Sequence, residues 1–201
     1  FINSKLNYAE NLLKHRSDDV AIYFFGENKI KKQITFNQLY TQVAKVAFSF
    51  KKMGLKKGDR VAAFMPNIPE TVISMLAATS IGAVWSSCSP DFGTNAVLDR
   101  FSQIKPKLFI ACDGYFYKNK EINCTHKINK IVDSLESIKH VVVADYINSG
   151  ESNWLKLLDN DTCEIDFEQL DFNSPLYIMY SSGTTGKPKS IVHSVGGTLL
   201  Q

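Results

Sequence analysis

Between Thr35 and Gly54 the apolar side chains fall at Phe36, Leu39, Val43, Val46, Ala47 and Phe50. They return every three or four residues, which lines one face of an α-helix. Thr35 carries the hydroxyl an N-cap needs, and Gly54 stands where a helix can end. Upstream, Val20–Phe25 is a β-branched and aromatic run that predicts a strand. Gly26-Glu27-Asn28 turns the chain, and 29–34 brings it back as the second strand of a hairpin. Residues 1–19 are polar and mixed, with Leu6, Ala9, Leu12 and Leu13 spaced for a short helix.

Past Gly54 the period alternates. Apolar runs at 60–65, 83–87, 108–112, 141–144 and 176–181 predict strands. Helical spacing lies between them: from Pro69 to about Ser80, from a cap at Thr94 through Gln103, and over 125–135. Pro69 suits a first turn, where its missing N–H costs little. Residues 148–162 are a polar insertion around a short helix at 154–158, and Ile191-Val192 follows the last loop as a strand. Strands alternating with helices argue for an α/β domain in three layers, a largely parallel sheet flanked by helices. The strands are apolar at successive positions, as expected where both faces are covered.

The bulk composition removes several function classes. With 201 residues and 44% hydrophobic content, the chain can bury one sizeable core or two small ones. A net charge of +3 with dispersed lysines argues against nucleic acid as a partner. No run approaches the ~18 apolar residues of a membrane span, and no basic-then-apolar leader opens the chain. Cys88, Cys112, Cys124 and Cys163 form no close pair, so no metal site is expected and a reduced, cytoplasmic setting is. The first residue is Phe1, and Gln201 stands where a helix is starting, so a longer parent protein is expected.

The chemistry concentrates in Tyr180-Ser-Ser-Gly-Thr-Thr-Gly-Lys-Pro-Lys189, directly after a predicted buried strand. Gly183 and Gly186 allow positive φ and close approach of the backbone. Successive amides there can form an anion-binding nest. Ser181, Ser182, Thr184 and Thr185 are neutral donors, Lys187 and Lys189 supply positive charge, and Pro188 stiffens the exit. The glycines are three apart and Pro188 follows Lys187, so the Walker A spacing is absent and an ordinary P-loop ATPase is disfavoured.

This segment resembles the signature loop of the adenylate-forming superfamily of acyl-CoA synthetases, luciferases and peptide-synthetase adenylation domains. Ile191-Val192-His193-Ser194-Val195-Gly196-Gly197 is similar to the short-chain acyl-CoA synthetase branch. Four further stretches, Leu6-Asn-Tyr-Ala-Glu-Asn-Leu12, Met65-Pro-Asn-Ile-Pro-Glu70, Ile81-Gly-Ala-Val-Trp-Ser-Ser-Cys-Ser-Pro-Asp-Phe-Gly93 and Val97-Leu-Asp-Arg-Phe101, resemble acetoacetyl-CoA synthetases. One departure stands at Ser190, where the broader family usually has Gly.

The resemblance implies part of a large N-terminal AMP-binding domain, with 1–19 as an extension, 20–201 as an α/β subdomain ending just after the phosphate loop, and a C-terminal domain outside the chain. It implies ATP, Mg2+, CoA and acetoacetate as ligands and the remainder of its own chain as partner. Ser181, Ser182, Gly183, Thr184, Thr185 and Gly186 would contact the β- and γ-phosphates, with Lys187 and Lys189 offsetting charge. His193 would lie near the acyl or adenylate group, or else be a satisfied histidine at a strand end. Lys118 and Lys120 would meet the CoA phosphates. No catalytic residue and no metal ligand is assigned within the chain, and these residues alone are expected to be inactive. Trp85, Cys88 and Phe92 suit packing more than a substrate pocket, and Asp99 and Arg100 suit contacts between elements. Two rivals stay open: a synthetase for acetate or propionate, and a non-catalytic nucleotide-binding module.

Overall fold

The computed structural model describes residues 1, 3–27, 30–181 and 186–201. In chain order its elements begin with β1 (Lys5–Leu6), α1 (Tyr8–Leu12), β2 (Val20–Phe25), β3 (Lys31–Thr35) and α2 (Phe36–Lys52). Then come β4 (Arg60–Phe64), α3 (Pro69–Ser80), β5 (Val84–Cys88), α4 (Thr94–Ile104), β6 (Leu108–Cys112), β7 (Gly114–Tyr117) and β8 (Lys120–Asn123). The last are α5 (Thr125–Ser134), β9 (His140–Ala144), α6 (Leu155–Leu158), β10 (Leu170–Asp171), β11 (Pro175–Tyr180), β12 (Ser190–Ser194) and α7 (Val195–Leu199).

Local chemistry sets the element ends. Thr35 and Gln38 form a capping box on α2: the Gln38 amide donates to Thr35 Oγ1 at 3.2 Å and the Thr35 amide donates to Gln38 Oε1 at 3.0 Å. Gly54, at φ +78°, closes that helix in the left-handed region. The cap on α4 differs from expectation. Thr94 is its first helical residue, and extended Gly93 precedes it, with its carbonyl accepting the Val97 amide at 3.2 Å. The helix starts a residue early because that carbonyl supplies the first acceptor without any side-chain cap. Asn28 of the expected turn and Lys29 at the start of the expected return strand lie outside the described residues, and β2 and β3 on either side pair antiparallel.

Six strands form the main sheet in the order β12-β11-β5-β4-β6-β9. Every pairing from β11 to β9 is parallel, and β12 adds one antiparallel strand to the edge. Alternation along each strand divides two cores. Val61, Ala63, Leu108, Ile110 and Cys112 face α1, α2, α3 and α6. Ala62, Phe64, Phe109 and Ala111 face α4 and α5, where Phe101 meets Phe109 edge-on at 6.2 Å. This is the expected three-layer arrangement of a mostly parallel sheet flanked by helices.

Two small sheets were not foreseen. β1 pairs with β10 far along the chain, and β7 folds onto β8. Asn7, almost fully buried, ties the first of these down: its Nδ2 donates to the carbonyls of Thr79, Ser80 and Glu168, and its Oδ1 caps α1 through the Glu10 amide.

Candidate functional site

Strand order fixes where a ligand can sit. The chain leaves β4 toward α3 on one face of the sheet, whereas it leaves β5 toward α4 and β6 toward α5 on the other. Loops that diverge from neighbouring parallel strands open a crevice beyond their carboxyl ends. A cleft of about 600 Å3 lies there. Its walls are Pro66 and Asn67 after β4, Ser89, Pro90 and Asp91 after β5, Tyr115–117 in β7, and Tyr146 after β9, with Phe24 to Glu27 of the first hairpin alongside. Lys127 on α5 holds one wall by donating to the carbonyls of Pro90 and Phe92 at 3.0 and 3.3 Å.

Asp113 holds the opposite wall. It is fully buried at the end of β6. Its Oδ1 accepts the amides of Tyr146 and Ile147 at 2.8 and 3.1 Å, and its Oδ2 accepts that of Ser149 at 3.0 Å. Burial alone would raise its pKa, but these amide donors outweigh it and hold the carboxyl below the usual carboxylate range. Its own carbonyl accepts the Cys124 amide at the foot of β8. One residue thus ties the β7–β8 hairpin to the 145–149 turn.

The Gly/Ser/Thr segment joins β11 to β12. Because β11 runs parallel to β5, its carboxyl end lies on the cleft edge of the sheet. The Ser181 amide donates to the Lys189 carbonyl at 3.1 Å, extending the ladder one rung past the Tyr180–Ser190 pair. Ser182, Gly183, Thr184 and Thr185 lie outside the described residues. Gly186, at φ +138°, is in a region only glycine enters freely. Lys187 Nζ stands 3.7 Å from Asp99 Oδ1 on α4, an exposed pair that contributes little to stability. Lys189 is exposed.

Helix α4 braces the feet of this hairpin. The Tyr180 hydroxyl donates to the Arg100 carbonyl at 3.3 Å and lies 3.1 Å from the Ser86 hydroxyl. Burial pushes that phenol up to about 12, so it is neutral at physiological pH. Gln103 reaches the other leg: its Nε2 donates to the Pro188 carbonyl at 2.9 Å, and its Oε1 accepts from the Ser190 hydroxyl at 2.8 Å.

The remaining singled-out residues separate. His193 lies against Tyr177, rings 4.8 Å apart, in register on the β11–β12 ladder. Lys118 and Lys120 sit at the β7–β8 turn, where Lys118 and Asn119 take φ of +50° and +60°. Both lysines are exposed, beside the cleft residue Tyr117 and away from the hairpin that carries 181–189. Trp85 and Cys88 are buried in opposite cores, and burial pushes the Cys88 thiol up to about 12. Phe92 is partly exposed beneath the Arg100 guanidinium at 4.8 Å. Among the described residues, no three His, Cys, Asp or Glu side chains gather to hold a metal, and no helix is long and apolar enough to cross a membrane.

The family model described as AMP-binding enzyme matches residues 9–201. The chain belongs to the AMP-binding enzyme family. Among its relatives, the acetoacetyl-CoA synthetase of Macaca fascicularis is 48% identical over 217 residues, covering 100% of this chain and 32% of that protein. The acetoacetyl-coenzyme A synthetase of Rhizobium meliloti (strain 1021) is 45% identical over 209 residues, again covering 100% of this chain and 32% of the other. The solved acetoacetyl-CoA synthetase of Streptomyces lividans superposes with a TM-score of 0.93 at 37% identity, covering 98% of this chain and 31% of that one. The chain therefore spans about a third of the length of these AMP-binding relatives.

Sequence reasoning did not locate the cleft, although each wall follows a predicted strand. The usable signal was Pro66-Asn67, Ser89-Pro90-Asp91 and Tyr115-Phe116-Tyr117 recurring at strand ends. Gln103 carried no such signal: it is a polar position on the outer side of an amphipathic helix.

Proposed function

We propose that this chain is the nucleotide-phosphate-gripping part of an acetoacetate–CoA ligase. The observation that carries the reading is the segment 180–189, set at the carboxyl end of β11 on the cleft edge of the sheet. In the reaction, an acetoacetate carboxylate oxygen attacks the α-phosphorus of ATP and pyrophosphate leaves. The CoA sulfur then attacks the acyl carbon of acetoacetyl-AMP, and AMP leaves.

Residues 181–186 grip the β- and γ-phosphates in the first step: Ser181, Ser182, Thr184 and Thr185 through hydroxyls and amides, Gly183 and Gly186 by admitting the backbone. Lys187 and Lys189 offset the charge; both are exposed, and the weak pair of Lys187 with Asp99 can give way to a polyanion. Their contribution is positioning and electrostatic stabilisation rather than proton transfer. Magnesium arrives with the nucleotide, and no residue of this chain is assigned to it. His193, held against Tyr177, borders the acyl-adenylate. Lys118 and Lys120 meet the phosphates of CoA, beside the cleft lined by Tyr115, Phe116, Tyr117 and Tyr146. Burial of Cys88, Cys112 and Cys124 as free thiols supports a reducing, cytoplasmic setting.

Acid-dependent exchange of labelled pyrophosphate into ATP tests the reading on the full-length protein. Acetoacetate should support exchange far better than acetate or propionate. A preference for acetate would transfer the reading to another short-chain acid, and absence of exchange with any acid would favour a non-catalytic nucleotide-binding module.

A further inference from the structure

Gln103 is an exposed glutamine on the outer face of α4, yet every polar atom of its amide is used. Nε2 donates to the Asp99 carbonyl at 2.7 Å, within its own helix, and to the Pro188 carbonyl at 2.9 Å. Oε1 accepts from the Ser190 hydroxyl at 2.8 Å. The orientation is fixed chemically: both carbonyls can only accept, so the NH2 must face them, and the remaining oxygen must face the hydroxyl. The side chain therefore bridges two residues that flank Lys189, on the leg by which the chain leaves the 181–189 segment. The Ser190 hydroxyl thereby gains a side-chain partner on α4.

We propose that Gln103 is a positioning residue for the ATP phosphates, acting through Pro188 and Ser190, which it pins to α4 on either side of Lys189. The inference rests on the phosphate-gripping role given to 181–189. The exit from Pro188 to Ser190 must otherwise be fixed when the polyphosphate binds, and that cost subtracts from affinity. Fixing Pro188 and Ser190 to a helix anchored by Phe101 and Ile104 in the core sets the exit before ligand arrives. The same helix touches the other leg through the Arg100 carbonyl and Tyr180. Both feet of the hairpin are thereby referred to one rigid element.

The test uses full-length enzyme in four forms: wild type, Gln103→Met, Ser190→Ala and the double variant. Methionine keeps the length and volume of the side chain and removes all its hydrogen bonds. In acetoacetate-dependent pyrophosphate exchange, Gln103→Met should raise the KM for MgATP by roughly tenfold, the size expected for losing one or two modest hydrogen bonds. Ser190→Ala should raise it less, and the double variant should be no worse than Gln103→Met, because both substitutions break one bridge. The second half-reaction, from supplied acetoacetyl-AMP and CoA, should run at the wild-type rate, since the β- and γ-phosphates have already left. A general folding defect would slow both halves. An unchanged MgATP KM in Gln103→Met, additive single effects, or equal slowing of both halves overturns the inference while the parent reading stands. A wild-type enzyme that neither exchanges pyrophosphate nor binds MgATP overturns the parent reading, and this inference with it.

Discussion

At the scale of single residues, Asp113 shows how a buried charge can be retained. Taking a carboxylate out of water is costly unless hydrogen bonds replace the lost solvation. Three backbone amides do so here, from Tyr146, Ile147 and Ser149. The folded pKa is lowered relative to an ordinary aspartate near ~3.9. A lowered carboxylate contributes stability that is fully present above the unfolded pKa and lost as pH falls through the folded one. The neighbouring Asp145 is shifted the other way, by burial first and then by the Asp113 carboxyl, so it opposes rather than adds to this effect. Asp113→Asn keeps one acceptor oxygen and places an NH2 against amide donors. We expect the amides of residues 146, 147 and 149 to exchange about 10- to 100-fold faster, corresponding to about 1.5–3 kcal/mol for leaving buried donors unmatched. Hydrogen-exchange mass spectrometry over that turn measures it. Unaltered protection at neutral pH would remove Asp113 as the organiser of the turn.

At the scale of elements, the legible part of the fold is the part whose information is local. The α2 stripe and the β4-α3-β5-α4-β6-α5-β9 alternation repeat over many residues, so the period reports the face. The β7–β8 hairpin does not. Its strands are four residues each, β8 is polar, and it is tied to the 145–149 turn, distant in sequence, through Asp113 and the close approach of Gly114 to Ile147. A Cβ on Gly114 would lie 2.5 Å from the Ile122 carbonyl oxygen and 2.5 Å from Ile147 Cδ1. The first obstacle is backbone and cannot rotate away. Gly114→Ala should therefore splay the hairpin from the 145–149 turn and cost about 1–3 kcal/mol, the range for overpacking a tight site. A lowered melting temperature with the β11–β12 side unaffected in hydrogen exchange is the expected pattern. A wild-type melting temperature would mean that the hairpin relaxes without strain. The β1–β10 pair was hidden for the same reason: Lys5 and Leu6 meet their partners, Asp171 and Leu170, only through the folded body between them.

At the scale of the whole molecule, two sets of basic residues lie along one edge of the sheet on different supports. Lys187 and Lys189 leave β11–β12, braced by α4, whereas Lys118 and Lys120 ride β7–β8, braced by Asp113. Their different ligands were expected from the sequence, but the elements that carry each pair were not; strand order and the unforeseen β7–β8 hairpin supply those. Separate supports predict separable kinetics. If Lys120 meets the CoA phosphates as proposed, reversing its charge acts through a solvent-exposed contact, which is screened by salt and modest in size. Lys120→Glu should raise the CoA KM by about 3- to 30-fold at low ionic strength, the combined loss of an attraction and gain of a repulsion. The increase should shrink as salt approaches physiological levels, where the Debye length falls to about 8 Å. The MgATP KM in pyrophosphate exchange should not move, because the substitution leaves α4 and the β11–β12 hairpin untouched. A CoA KM equal to wild type at low salt would remove Lys120 from the CoA site. A rise in both KM values would mean that the two supports are mechanically joined, which the independent bracing by Asp113 and α4 argues against.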